Sequence, residues 1–565
     1  MAEIRELIEK YALQNAVKYR AAPNSGAVMG KLMGEHPELR PRAKEVGPEI
    51  KAVLAQVAEM SPEEWERRLE VIAPELIAEL SEHKEPTKGL PDLEGADGGV
   101  VMRFAPNPNG PPTLGSARGI IINSEYVKKY GGKFLIRFDD TYPVKKRPMP
   151  EAYGWYLEDC AWLGAKPDQV IIASERLPLY YEIAEELIRR GGAYVCGCEQ
   201  LVFKEHKDAG IACAHRDRSP EENLDLWKKM LDGTLAEGQA VLRVKTDMTH
   251  KDPAMRDWPA FRIVTASHPH VGSKYRVWPL LDFESGVEDH LLGMTHILRG
   301  KDLADSESRQ KYLYRHMGWE YPRVIHWGKI KIHQFGSFST SKLKKAIEAG
   351  EYTGWDDPRV PTVRAMRCRG IRPEALHKFM VELGVGETDI SISMDTIYAE
   401  NRKLIDPEAN RYFFVWDPVE LEIKGDVPAL ARAPLHPTID RGFREIPAGN
   451  KVFICRSDLE LLSLTPGGLF RLKDFCTVML TSKEPAKALL VYVDPDQAKK
   501  DRFRIIHWAP RDALPVKVMK PDGVDEGVGE AGIAGELGKV VQFERYGFVR
   551  INRLGDPIVA YYAHR

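Results

Sequence analysis

Thr113, Gly115 and Ser116 stand in the stretch Arg103-Phe104-Ala105-Pro106-Asn107-Pro108-Asn109-Gly110-Pro111-Pro112-Thr113-Leu114-Gly115-Ser116-Ala117, where hydroxyls and glycine cluster in a turn. The apolar run Val100 to Phe104 reads as a short buried strand, Pro and Gly then forbid regular structure, and Gly115 to Tyr126 reads as a helix. A strand, a loop and a helix start place backbone N–H groups and the positive end of a helix dipole where a phosphate can sit. Gly115 lets the backbone approach a ligand closely, and the hydroxyls of Thr113 and Ser116 can hydrogen-bond phosphate oxygens. Taken alone, the turn fits a plain strand–helix connection equally well.

Other residues carry chemistry of different kinds. Cys196-Gly197-Cys198 and, after fourteen intervening residues, Cys213-Ala214-His215 offer four soft or borderline ligands in two close pairs. Either pair alone fits chance thiols, whereas the four together match the way tetrahedral zinc staples a small insertion, in a closed and structural site. Asp139 follows the apparent strand Lys133 to Phe138, at the end where ligands of open α/β sheets bind; Asp140 or Thr141 fits equally well as the N-cap of the next helix. Lys342, in Ser339-Thr340-Ser341-Lys342-Leu343, is a point cation suited to a migrating pyrophosphate charge, although a lone Ser-Lys pair beside Lys344 and Lys345 also reads as a solvated basic helix start. Arg364, Arg367 and Arg369 lie in the strongly basic segment Gly354 to Gly370, which is either an Arg-rich helix face or a patch for nucleic-acid phosphates.

Read together, these segments resemble the class I aminoacyl-tRNA synthetases, in the glutamyl and glutaminyl subgroup and its archaeal type. Asn107 to Ala117 resembles the HIGH signature in the form Arg-Phe-Ala-Pro-Asn-Pro-x-Gly, with Thr113 and Ser116 in place of its two histidines. The resemblance implies that Pro112, Thr113, Gly115 and Ser116 bind ATP, neutral hydroxyls meeting the triphosphate where the family has imidazoles. Ser339 to Leu343 resembles the KMSKS loop, keeping Ser341 and Lys342 as catalytic and ATP-binding residues, with Ser339 replacing the first Lys. Arg137-Phe138-Asp139-Asp140-Thr141 is similar to the element whose first acid, Asp139, holds the amino group of the amino acid. By the same resemblance Arg299 faces the α-carboxylate, Asp302 the ATP ribose, and Arg103, Ala105, Asn107 and Ser285 complete a glutamate pocket. Leu281 stands where many relatives have Tyr facing the amino-acid side chain, which leaves Arg103 as its chief reader. Asp289 and His290 read equally well as a helix-start acid and its neighbour. The Cys and His pairs resemble the zinc knuckle in the acceptor-binding insertion of some glutamyl enzymes. Arg364, Arg367 and Arg369 fall in what resembles the tRNA-binding element after the KMSKS loop of archaeal-type glutamyl and of glutaminyl enzymes.

A chain of 565 residues exceeds one hydrophobic core, and roughly three to five domains are expected to position these residues. The fold class is multidomain α/β. Apolar and charged residues alternate at helical spacing through Glu3 to Leu13, Ile50 to Met60 and Pro62 to Leu80, which makes 1–97 a helical N-terminal appendage. A Rossmann-type catalytic domain is expected over 98–190, with helices at Pro150 to Leu163 and Leu179 to Arg190, and again over 286–345. The zinc-stapled acceptor-binding insertion, with strand-like runs at Leu242 to Lys245 and Tyr275 to Phe283, occupies 191–285. A helical connector with helices at Pro373 to Leu383 and Asp395 to Arg411 spans 346–414, and short β-type runs punctuated by Pro and Gly read as β-barrels over 415–565, which in this placement resemble the anticodon-binding half of archaeal-type enzymes.

A net charge of −2 excludes a wholly basic nucleic-acid coat, so RNA must meet local patches. The lack of a long uncharged apolar run, and a start rich in charge from Glu3 to Lys10, point to a cytoplasmic protein with no membrane span. Seven unevenly spaced cysteines point to reduced thiols or a metal. The function the resemblance implies is ATP-dependent attachment of glutamate to tRNA(Glu) through a glutamyl-adenylate, with ATP and Mg2+ as substrate, structural Zn2+, tRNA(Gln) as a second acceptor, and a monomeric enzyme. The substrate carboxylate is itself the nucleophile, so the enzyme supplies alignment and charge stabilisation. One rival is a glutaminyl enzyme, which would share Arg103. Another is an idle tRNA-binding scaffold, suggested by the missing histidines but opposed by the joint presence of Arg103, Asp139, Arg299, Asp302 and Lys342. A small nucleotidyltransferase would need neither the Cys and His insertion nor the barrels.

Overall fold

Four helices, α1 (Ala2–Tyr19), α2 (Ser25–Glu35), α3 (Ala43–Ala58) and α4 (Pro62–Ile72), form the first of two units, which divide at residue 89. The computed structural model describes residues 2–19, 22–76, 89–336, 339–462, 468–500 and 503–565. Two of the starts are chemically marked: Asn24 caps α2, and Ser61 with Glu64 forms a reciprocal capping box on α4, with Pro62 in its first turn. Ile8, Leu13, Leu32, Ile50, Val53 and Leu69 are buried together as its core. The helices expected from 50 and from 62 are present, the first starting earlier, at Ala43, and the second ending at Ile72, where Ala73 leaves helical geometry; residues 77–80 lie outside the described residues. Residues 90–97 belong with the second unit, not the appendage: the Leu93 N–H donates to the Tyr130 hydroxyl and Lys129 pairs with Asp92.

The second unit opens on β1 (Val100–Phe104), α5 (Leu114–Tyr130), β2 (Gly132–Phe138), α6 (Pro150–Trp162) and β3 (Gln169–Ile172), the strands pairing in parallel in the order β1-β2-β3. Gly132, at φ +125°, permits this pairing, because a Cβ there would lie 1.9 Å from the Val100 carbonyl oxygen. After α7 (Leu177–Arg189) the insertion follows: β4 (Ala193–Cys196), α8 (Gln200–Ala209), α9 (Pro220–Asp232), β5 (Val241–Val244), β6 (Pro259–Ile263) and β7 (Val277–Pro279), its four strands antiparallel in chain order. The chain returns through α10 (Leu281–Leu291), β8 (His296–Gly300), α11 (Ala304–Met317) and β9 (Arg323–Trp327), with β8 and β9 parallel. The free side of β1 faces β8: the Thr295 N–H donates to the Val101 carbonyl and the Val101 N–H to Thr295 Oγ1, both at 3.0 Å. The carboxyl ends of β1, β2 and β8 therefore share one edge, the place where open α/β sheets bind ligands.

The strand expected over 275–283 is only Val277 to Pro279. Leu281 already begins α10, whose first turn carries Asp282 and Glu284 at the favourable end of the helix dipole. The expected boundary at 285/286 thus falls inside a helix, and Ser285 and Asp289 lie one turn apart on it, the latter near its end.

Beyond the sheet come β10 (Ile330–Ile332), α12 (Thr340–Glu348), α13 (Val363–Arg369), α14 (Pro373–Leu383), β11 (Ile390–Ile392) and α15 (Met394–Ile405), the last ending before the Arg411 expected. The remainder is β-rich. One seven-stranded sheet runs in the order Arg411–Tyr412, Val540–Phe543, Gly547–Arg553, Ile558–His564, Leu514–Lys520, Gly523–Gly529, Phe414–Trp416. A second runs Arg504–Ile506, Leu469–Leu472, Thr477–Lys483, Ala486–Tyr492, Pro418–Lys424, Lys451–Cys455, Ala509–Pro510. Leu421, Ile454, Phe470 and Trp508 are buried in one core, and Val516, Phe543, Val549 and Ile551 in another. Among the described residues no helix is long and apolar enough to cross a membrane.

Candidate active site and metal cluster

A cavity of about 400 Å³ opens at the shared strand edge, lined among others by Arg103, Ala105, Gly115, Asp139, Ser285 and Arg299. It adjoins a larger one of about 740 Å³, lined by Arg118, Asp302, Lys329 and His333 among others; Gly115, Gly300 and Trp327 border both. A small polar molecule and a nucleotide can therefore lie end to end, with the glycine of the β1–α5 turn between them. Leu281, Thr113 and Ser116 also line the smaller cavity.

Beneath that cavity lies a buried ion network. Arg103 donates through Nε and Nη2 to the two carboxylate oxygens of Asp289, at 2.9 and 3.1 Å. Arg137, fully buried, donates to both oxygens of Asp139 at 2.6 and 3.2 Å, to Asp289 at 2.7 Å and to Ser285 Oγ at 2.9 Å. Arg299 pairs with Asp289 at 3.6 Å and donates to Gln310 at 3.1 Å; its Nε, buried, has no partner among the described residues and is a donor available to an anion. Burial opposes ionisation of Asp289, but Arg103 and Arg137 outweigh it and hold its carboxyl below the usual carboxylate range. Arg103 Nη1 also donates to the Leu298 carbonyl at 3.5 Å, which leaves one hydrogen on Nη1 and one on Nη2 without a partner among the described residues.

The HIGH-like turn is fixed from several sides. Thr113 caps α5, its Oγ1 accepting from the Ser116 N–H at 3.4 Å and lying 3.3 Å from the Ser116 hydroxyl. Pro112 lines neither cavity; its carbonyl accepts from the Val363 N–H at 2.9 Å, while the Leu114 N–H donates to Pro361 at 2.9 Å. Gly110 faces the start of α12 so closely that a Cβ would lie 2.5 Å from Thr340 Cγ2 and 2.9 Å from the Trp355 ring. Asn109 Nδ2 reaches Ser341 Oγ at 3.4 Å, so the two signature segments, far apart in sequence, meet here. Ser341 and Lys342 are exposed, on the helix start that Ser339 caps.

Several expected assignments change. Asn107 does not line the amino-acid cavity; its amide donates to the Asp139 carbonyl at 3.0 Å and so shapes the loop after β2. Asp140 and Thr141 are buried and cap no helix: Asp140 accepts from the Ser174 N–H and hydroxyl and from Tyr153, and the N-cap position of α6 is Met149. Asp289 is the acceptor shared by three arginines. The sequence pattern assigns no site role to Arg137 or Arg118 and leaves Asp289 as a helix-start acid, whereas Asp289 lies near the end of α10. The signal for Arg137 was strand period, which puts it on the same face of β2 as Asp139; for Asp289 it was helix spacing, four residues after Ser285. Arg118, one turn into α5, donates to the carbonyls of Gly384 and Gly328 and lies over the Trp327 ring; burial pulls its pKa down to about 10.

Cys196, Cys198, Cys213 and His215 converge, their ligand atoms all within 4.8 Å of one another. Cys196 Sγ lies 3.9 Å from Cys213 Sγ and 3.8 Å from His215 Nδ1, and Cys198 Sγ lies 3.3 Å from that nitrogen. A tetrahedral ion with sulfur bonds of about 2.3 Å needs sulfurs roughly 3.8 Å apart, so this donor set fits zinc in spacing and in chemistry.

The three arginines of 364–369 do not form one surface. Arg369 is buried and donates to the carbonyls of Tyr562 and Ala563 and to the Tyr398 hydroxyl, clamping α13 onto the last strand. Arg364 pairs with Glu158 at 2.7 Å over the Trp155 ring. Arg367, by contrast, borders a cavity of about 410 Å³ with Arg372, Arg441, Lys539 and Arg550. Arg372 and Lys539 are matched by Glu408 and Glu536, whereas Arg367, Arg441 and Arg550 have no acidic partner among the described residues.

A family model described as tRNA synthetases class I (E and Q), catalytic domain, matches residues 99–407. Two described as tRNA synthetases class I (E and Q), anti-codon binding domain, match 409–492 and 505–552. The chain is 69% identical over 563 residues to a protein of Methanothrix thermoacetophila, covering 100% of both. It is 61% identical to one of Methanosarcina barkeri, covering 99% of this chain and 98% of that one, and 51% identical to one of Archaeoglobus fulgidus, covering 99% and 100%. All three carry the name glutamate–tRNA ligase.

Proposed function

Because the chain belongs to the class I tRNA synthetases of the glutamate and glutamine group, we propose that it activates glutamate with ATP and transfers it to tRNA(Glu). In the first step an α-carboxylate oxygen attacks the α-phosphorus of ATP, held with Mg2+, and the bond to pyrophosphate breaks. In the second a hydroxyl of the terminal tRNA ribose attacks the carbonyl of the glutamyl-adenylate and AMP leaves. The observation that carries this reading is the small cavity, walled by Arg103, Arg299 and Asp139, joined at Gly115 to a nucleotide-sized one. Guanidiniums suit two carboxylates and Asp139 suits an ammonium, a set that matches glutamate better than glutamine. Thr113, Ser116 and Lys342 are assigned to the triphosphate and Asp302 to the ribose. The cysteine and histidine cluster is assigned to a structural zinc, and the reaction to a cytoplasmic enzyme.

Pyrophosphate exchange tests this directly. Exchange is expected with glutamate, not glutamine, and only when tRNA is present, with some glutamylation of tRNA(Gln) as well. Exchange with glutamine alone would establish the glutaminyl alternative, and none with either amino acid would establish the scaffold.

We assign the tRNA backbone to the cavity of Arg367, Arg441 and Arg550, cations left without acidic partners in a chain of net charge −2. Replacing Arg441 and Arg550 by Ala should weaken tRNA binding and flatten its dependence on log salt by roughly one to two units, since each neutralised phosphate contributes about 0.7–0.9. An unchanged salt slope would place the backbone elsewhere.

A further inference from the structure

Glu284 stands behind the amino-acid cavity without lining it. It lies in the first turn of α10, fully buried, and neither of its carboxyl oxygens has a hydrogen-bond partner among the described residues. Its nearest cation is Arg137, whose Nε is 3.7 Å away. A guanidinium has five N–H groups, and in Arg137 all are directed elsewhere. Nε–H meets Asp139 at 2.6 Å; Nη1 meets Asp289 at 2.7 Å and the Ser285 carbonyl at 3.5 Å; Nη2 meets Asp139 at 3.2 Å and Ser285 Oγ at 2.9 Å. The other titratable groups facing Glu284 are Asp139, Asp140, Tyr142, Tyr180 and, on its own helix, Glu288. An ionised carboxylate in this position would have no donor to solvate it and other acids beside it, a state that burial strongly disfavours. In agreement, burial and then Asp139 push the Glu284 carboxyl well above the usual carboxylate range against the pull of Arg137.

We propose that Glu284 is a charge-setting residue that stays protonated, so that three guanidiniums (Arg103, Arg137, Arg299) against two carboxylates (Asp139, Asp289) leave the cavity one net positive charge, which glutamate neutralises and its amide does not. The inference rests on the reading of this cavity as the glutamate site. It adds that selection is a property of the whole buried network. Glutamate, with two carboxylates and one ammonium, enters at net charge −1 and brings the site to neutrality; glutamine would leave a buried positive charge uncompensated. An ionised Glu284 would reverse this preference, the empty cavity being neutral and glutamate leaving it negative.

The substitution that separates the two cases is Glu284→Gln, which keeps the shape and replaces the ionisable carboxyl by an amide that stays neutral at every pH tested. At neutral pH its ratio of kcat/KM for glutamate over glutamine should stay within about threefold of wild type. As pH rises, wild-type kcat/KM for glutamate should fall where Glu284 ionises, and that alkaline limb should be absent from the variant. Calorimetry of glutamate binding to the wild-type enzyme with tRNA, in two buffers of different ionisation heat, should show no proton uptake, a measurement that stands even if the variant fails to fold. Uptake of one proton by wild type, or a change of more than about tenfold in the glutamate preference of Glu284→Gln at neutral pH, would overturn the proposal. In difference infrared spectra, a protonated-carboxyl band of the unliganded wild type should vanish in Glu284→Gln, and no difference would likewise overturn it. Failure of wild type to exchange pyrophosphate with any amino acid would remove the parent reading instead, leaving the infrared result to decide the state of Glu284.

Discussion

Arg103→Ala should raise the KM for glutamate in tRNA-supported pyrophosphate exchange by about two to three orders of magnitude, with the KM for ATP changed by less than about threefold, because an unpartnered buried carboxylate costs roughly 3–5 kcal/mol. Arg103 is buried at the wall of the amino-acid cavity, and its guanidinium keeps N–H hydrogens that neither Asp289 nor the Leu298 carbonyl uses. Its removal does not strand Asp289, which keeps Arg137 at 2.7 Å and Arg299 at 3.6 Å. The loss therefore falls mainly on the substrate and not on the fold, and the thermal transition should move little. Arg103→Lys separates charge from shape. It keeps the cation but cannot hold Asp289 through two nitrogens and still present a donor to the ligand, so an intermediate KM is expected. A uniform loss for glutamate and ATP together would mean that Arg103 acts through the architecture of the β1–α5 turn.

The elements that carry the site were legible where a single chain segment holds the whole signal. β1, the turn to α5, β2 and the paired ligands Cys196, Cys198, Cys213 and His215 each declare themselves by local pattern, and the structure brings those residues together. What stayed hidden depends on partners distant in sequence. Arg369 reads as a surface cation of a basic helix, and nothing local shows that the last strand lies against it with the carbonyls of Tyr562 and Ala563 turned inward. Asp289 reads as one acid among several; only the meeting of β1, β2, β8 and α10 makes it the shared partner of three arginines. Asn107 has the look of a ligand-binding amide, yet its donor is used on the Asp139 carbonyl. The strand before α10 is shorter than the alternation of Tyr275 to Phe283 suggests, because Pro279 ends it and Asp282 and Glu284 occupy the first turn of the helix.

Cys213→Ser should abolish a stoichiometric zinc, about one equivalent per chain in the wild type, and loosen one corner of the insertion without unfolding it. The energetic stake is large in principle, since structural zinc contributes an apparent 10–16 kcal/mol or so to small zinc-finger peptides that have no other core. Here the insertion has a large core that it shares with α7, α10 and α11: Trp227, Trp258, Phe261 and Trp278 are buried with Tyr180, Phe283 and Leu313 in a cluster that contains none of the four ligands. Cys196 and Cys213 belong instead to a small satellite with Tyr194 and Phe203, against which Cys198 packs. Loss of the ion should therefore act on that satellite, on α8, whose Phe203 it holds, and on the turn carrying His215. Limited proteolysis of Cys213→Ser should cut between Glu199 and Ala212, while the cavity lined by Arg103, Asp139 and Arg299 keeps its glutamate affinity. The effect on aminoacylation should then appear in the KM for tRNA, the substrate this insertion is proposed to meet, and hardly at all in the KM for glutamate. Wild-type protein purified under reducing conditions and found free of zinc would refute the assignment. A variant that loses zinc together with glutamate affinity would show that the satellite and the amino-acid cavity are coupled through the core that α10 shares with the insertion.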